Sequence, residues 1–203
     1  MRVCPLPDLQ FEKLFVAMRS LLLKNLDRME VSPELIYFLS TLSIHCFTNE
    51  YVYIEKDEET RLISELQAKI SETVAQSEQP EAIKVLCLAS YRPLHQYNWC
   101  HKLECLDNLE EVKKRLIEEP LFEKMIAKDI PVLEEISDHV SLKVREQYEE
   151  NPYPRWVKLG VSITAKSIAA VCDELKLRLH FKNIKNVTAT LILVAGCGRG
   201  STR

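Results

Sequence analysis

Ser32–Tyr53 reads SPELIYFLSTLSIHCFTNEYVY, and it sets the fold class of most of the chain. Ser32, Pro33 and Glu34 stand in the order a helix start prefers: a cap, a first-turn proline and an acid facing the dipole. The residues that follow are apolar on nearly every side (Leu35, Ile36, Phe38, Leu39, Leu42, Phe47, Tyr51). A helix of this kind has no wet face and belongs at the centre of a bundle. The pattern predicts it to run to about Tyr53.

The flanks supply the layers around it. Asp8 is placed to cap a helix carrying Phe11, Leu14, Phe15, Met18, Leu21 and Leu22 on one broad face. The apolar stretch within that helix, LFVAMRSLLL, is short and is broken by Arg19. Asp57 opens a third helix with Leu62, Leu66, Ile70 and Val74 at i+4 spacing and polar residues elsewhere, the mark of a surface position. Glu81 to Tyr91 reads as a short buried helix, stopped near Arg92 by Pro93. Asp107 is expected to cap the next, with Leu109, Val112 and Leu116. After Pro120 comes a short apolar turn of helix. A long helix is then expected from about Asp129 to Glu150, stepping through Val132, Ile136, Val140, Val144 and Tyr148 and ended by Asn151-Pro152. No fixed repeat period is present.

Beyond Trp156 the character changes. Ala165 to Glu174 suits one more helix. Leu175 to Lys182, LKLRLHFK, alternates with period two and presents Lys176, Arg178, His180 and Lys182 on one side; a strand or a continued helix both fit. Thr190 to Gly200, TLILVAGCGRG, is an apolar strand running into alternating glycines. Apart from Gly160 these are the only glycines in the chain. Such a strand-to-loop passage brings bare backbone against a ligand. The fold expectation is therefore mainly α: a helical bundle over 1–150, a proline and aromatic linker over 151–187, and over 188–203 the first strand and glycine loop of an incomplete Rossmann-like α/β domain.

Composition narrows the function. With 46% hydrophobic and 28% charged residues, the chain is ordinary globular material. A net charge of -3 argues against a nucleic-acid footprint, and no apolar run approaches the length of a membrane span. The N-terminus lacks the features of a signal peptide. Seven cysteines without regular spacing read as free thiols in a reducing compartment, so the cytoplasm is expected.

Three stretches, in order, resemble one family. They are HCFTNEYVY (His45 to Tyr53), VREQYEENPYPRW (Val144 to Trp156) and ILVAGCGRG (Ile192 to Gly200). Together they are similar to the class I S-adenosylmethionine-dependent methyltransferases in which a helical N-terminal region, sometimes preceded by tetratricopeptide repeats, leads through a QYEENPYPRW segment into an ILIAGCGTGQ loop. The proline and aromatic segment is the most specific of the three. The resemblance implies S-adenosyl-L-methionine as cofactor, with Gly196, Cys197, Gly198 and Gly200 in the loop that approaches its methionine and ribose part. Arg199 departs from the family's threonine, and Ser201, Thr202 and Arg203 do not continue as the helix after the loop. The acid that grips the ribose and the adenine pocket lie beyond these residues. One strand and half a loop cannot bury such a cofactor, so residues 1–203 by themselves are expected not to transfer methyl groups.

Tyr148, Asn151, Tyr153, Arg155 and Trp156 have two readings. They form either a rigid linker packing the bundle onto the next domain, or a flap over cofactor or substrate with Arg155 toward a carboxylate or phosphate. Other constellations carry less. His95, Cys100, His101 and Cys105 lie within eleven residues, but their spacing is not a usual zinc pattern, and buried thiols with helix-surface histidines are the favoured reading of the same residues. His45 and Cys46 are adjacent on a helix and diverge around it, which suits no nucleophile and base pair. Glu55, Asp57, Glu58 and Glu59 are acids at a helix start, where the dipole favours them. The competing function is a helical protein-interaction or regulatory module without enzymatic activity, meeting a partner through its helical region or the unpaired apolar strand.

Overall fold

The computed structural model describes residues 8–129, 138–150, 164, 166–176, 180 and 183. It is mainly helical, with no strand among the described residues. The chain divides into two compact units, Met1–Val157 and Lys158–Arg203.

In the first unit, α1 (Leu9–Asn25) starts where Asp8 accepts hydrogen bonds from the backbone N–H groups of Gln10 and Phe11 at 2.8 and 3.1 Å. The helix α2 (Pro33–Thr48) starts where Ser32 Oγ accepts from Leu35 N at 3.2 Å. Both caps satisfy donors that no helical carbonyl can reach. The third helix, α3 (Asp57–Ala75), uses a reverse arrangement: Glu59 reaches back to accept from Lys56 N at 3.0 Å. The fourth, α4 (Ala82–Ala89), is buried almost throughout, and its contact with α2 is the most extensive in the body. Leu39, Leu42, Ile44, Val85, Leu86 and Leu88 are all at most 1% exposed and form the centre of the core. Burial of this order contributes roughly 2 kcal/mol for each such side chain.

Several boundaries differ from the sequence expectation. The α2 helix stops at Thr48, five residues short of Tyr53. Glu50 and Tyr51 both take left-handed backbone conformations, each with φ of 55°, and Tyr51 N donates to Cys46 O at 2.9 Å. The apolar periodicity continues past the helix end because the chain reverses and folds Tyr53 back into the core, where it is 7% exposed. In α3 the buried stripe is Ile63, Leu66, Ile70 and Val74, with Leu62 half-buried beside it. The α4 helix is shorter at both ends than the expected Glu81 to Tyr91.

Asp107 does not cap a helix. Residues 94–106 make three short 3-10 turns (Leu94–Gln96, Cys100–Lys102 and Glu104–Leu106) that bury Leu94, Cys100, Leu103 and Leu106. Asp107 closes the third turn and pairs with the Lys113 ammonium. The next helix, α5 (Glu110–Lys113), passes through a π turn at Lys114–Glu118 into α6 (Glu119–Ala127). Pro120 therefore does not break the helical path. It has no N–H to give to a carbonyl four residues back, and the wider turn just before it accommodates the lost bond.

The expected long helix from Asp129 is also shorter. Asp129 ends the turn after α6 by donating to Ile126 O at 2.9 Å. Within the described residues α7 covers His139–Glu150, and Asp138 lies before it, accepting from Ser141 N at 2.8 Å. A carboxylate so used belongs to a helix start.

In the second unit, α8 (Ile168–Glu174) is capped by Ser167, whose hydroxyl accepts from Ala170 N at 3.2 Å. It begins three residues later than the expected Ala165. Leu175 N donates to Val171 O and Lys176 has φ of 51°, so these two residues end the helix and do not begin a strand. The remainder of the Leu175 to Lys182 segment, apart from His180, lies outside the described residues, as do the Thr190 to Ala195 strand and the glycine loop.

Candidate functional site

One charge is buried where α1, α3 and α4 approach one another. Arg19 is 2% exposed although it sits on the apolar face of α1 among Phe15, Leu22 and Leu23. An unpaired cation there would cost several kcal/mol, so its partners decide what it does. Its guanidinium donates to three backbone carbonyls: Ser90 O at 3.3 Å, Tyr53 O at 3.4 Å and Ile54 O at 3.1 Å. It also lies over the Tyr91 ring, 4.0 Å from the centroid, and 5.7 Å from that of Tyr53. A desolvated cation on an aromatic face gains about 2 kcal/mol.

A second ionisable side chain, Glu59, is 0% exposed on the first turn of α3. Tyr91 stands between the two, its hydroxyl donating to Glu59 Oε1 at 2.7 Å. The other carboxylate oxygen takes Lys56 N. Arg19, Tyr91 and Glu59 thus form a continuous chain from cation through ring and hydroxyl to anion. Burial and the Glu59 carboxylate both push the Tyr91 phenol well above its ordinary value. Tyr53 is pushed up to about 12, chiefly by burial, and its hydroxyl is 2.6 Å from His45 Nε2.

The arrangement holds the turn after α2 in place. Residues 49–56 are tied by the Arg19 bonds to Tyr53 and Ile54, by the contact of Tyr53 with His45, and by a two-point ion pair of Glu55 with Arg92 at 2.6 and 2.8 Å. The Arg92 guanidinium holds the Glu55 carboxyl below its ordinary value against an opposing effect of burial. Two non-glycine residues in left-handed conformations cost of order 1 kcal/mol or more each and persist only where surroundings over-determine them. Besides Lys56, this turn exposes two apolar side chains: Val52 is 64% and Ile54 72% exposed. Beside Ile54 a trough of ≈ 510 Å³ runs along one face of α1, floored by Leu9, Val16, Ala17 and Leu21.

The contacts of this network fix Tyr53 and Ile54 in place. The thiols of Cys46 and Cys87 are buried and pushed up to about 12. A thiol in that state is inert. Its role is to position the turn.

The sequence candidates fall in different places. His45 meets the Phe15 and Tyr53 rings, and its Nε2 contact is with Tyr53. His95 stands edge-on to Phe47 with ring centres 6.0 Å apart, Cys100 is buried, His101 is exposed and Cys105 is half-buried with its thiol pushed up to about 11. No three His, Cys, Asp or Glu residues converge on a metal-sized site among the described residues. The four acids separate: Glu55 goes to Arg92, Glu58 to Lys24 at 2.5 Å, Glu59 to Tyr91, and Asp57 opens α3. Tyr148 lies on the last turn of α7. Asn151, Tyr153, Arg155, Trp156, Gly196, Cys197, Gly198 and Gly200 lie outside the described residues.

Arg19, Tyr91 and the burial of Glu59 escaped the sequence reading. The signal available was a single arginine inside an apolar helix face, which either ends a buried stripe or demands a buried partner. No helix of the described residues is long and apolar enough to cross a membrane. No protein-family model matches the sequence, and neither a curated protein nor a solved structure matches the chain.

Proposed function

We propose that the chain carries the helical N-terminal region and the opening of the cofactor domain of a class I S-adenosylmethionine-dependent methyltransferase working in a reducing compartment. The observation that carries this reading is the ordered occurrence of HCFTNEYVY, VREQYEENPYPRW and ILVAGCGRG along one polypeptide. In such an enzyme Gly196, Cys197, Gly198 and Gly200 would line the methionine and ribose end of S-adenosyl-L-methionine. Tyr148, Asn151, Tyr153, Arg155 and Trp156 would join the helical body to the site or close over it. The mainly helical body is compatible with the first half of that assignment.

The coding sequence beyond the Arg203 codon, read in all three frames, tests the reading. A second apolar strand ending in Asp or Glu about 20 residues on supports it. Absence of any such strand in every frame contradicts it. Titration of residues 1–203 with S-adenosyl-L-methionine tests the narrower point, since a single strand and part of a loop bury too little ligand for micromolar binding.

A second reading, a helical interaction module without activity, is favoured by the large apolar residues left exposed on α6 (Phe122 57%, Met125 55%) and α7 (Val140 66%). A monodisperse monomer on size exclusion, with no partner recovered by pulldown, counts against it.

A further inference from the structure

We draw no further inference here: the strongest candidate, the open trough along the outer face of α1 beside Ile54, is an apolar groove, and nothing in the structure shows what covers it.

Discussion

The helix pair α2 and α4 is richer in apolar residues than the helices α6 and α7, and the two differ further in what those residues meet. In α2 and α4 the large apolar side chains other than Tyr37 face one another and the rest of the core, with Leu42, Ile44, Val85, Leu86 and Leu88 at 0% exposure. In α6, Leu121, Phe122, Met125 and Ile126 are 39–57% exposed, and in α7 Val140 and Val144 are 66% and 45% exposed. The first pair has its partner within the body. The second carries an apolar surface of the kind that isolated monomers usually keep small. A region can therefore be helical by pattern and still differ from its neighbour in whether its packing is complete.

The comparison breaks most readily at Arg19 on α1, which binds the segments that follow α2 and α4. Arg19→Ala removes the donor of three carbonyls, Ser90, Tyr53 and Ile54. The expected loss is about 3 kcal/mol or more in urea unfolding, at about 1–3 kcal/mol for each buried acceptor left unsatisfied. A loss under about 1 kcal/mol would show that the guanidinium is not needed to hold the turn at residues 49–56.

Next in size is the contrast in truncation. Leu42→Ala in α2 should cost about 3 kcal/mol through lost burial and the cavity left behind. Phe122→Ala in α6 should cost less than about 0.5 kcal/mol, since most of its ring is already in water. Equal losses measured by the same denaturant curve would erase the distinction between the two regions.

Much of the first region was open to reading from residues alone. Asp8 and Ser32 cap where they should, each bonding backbone N–H groups two or three residues on, whereas Asp107 closes a 3-10 turn instead. The all-round apolar pattern of Pro33–Thr48 correctly marked the bundle centre. What escaped depended on distant residues. Arg19 and Ser90 are 71 positions apart, and nothing local indicates that an α1 guanidinium should meet the carbonyl that caps the end of α4. The end of α2 was hidden for a related reason: Glu50 and Tyr51 take left-handed conformations usually left to Gly or Asn, imposed here by the ties on Tyr53, Ile54 and Glu55. The three 3-10 turns over residues 94–106 have no period of their own to read. The apolar surface of α6 was invisible too, since a periodic stripe reports that a face is apolar and not whether anything covers it.

Tyr91→Phe sharpens the account of how Arg19 and Glu59 are joined. It keeps the ring under the guanidinium and deletes only the hydroxyl that bonds Glu59. A loss of about 2 kcal/mol is expected for leaving a buried carboxylate oxygen without its donor. A change near zero on unfolding would mean that the ring alone links the two charges.

The smallest effect expected is at the rim of the turn. Glu55 has its folded carboxyl value lowered by Arg92, so its contribution is present above the unfolded value and is lost as pH falls through the folded one. Wild type should exceed Glu55→Gln by about 1 kcal/mol or less at pH 7, since Arg92 is one-third exposed and solvent screens the pair. The gap should close as pH falls below about 4. A gap that widens in acid would reverse the sign of the assigned interaction.

Residue-resolved hydrogen exchange on the 203-residue protein tests the contrast between the two helix pairs most directly. Amides of Leu42 to Phe47 in α2 and Val85 to Leu88 in α4 should exchange only through global unfolding. Those of Phe122 to Ile126 in α6 and of Val144 in α7 should exchange at least about a hundredfold faster, through local opening. Uniform protection across all four helices would contradict the account, because it would mean that the apolar faces of α6 and α7 need no further cover to be as stable as the core.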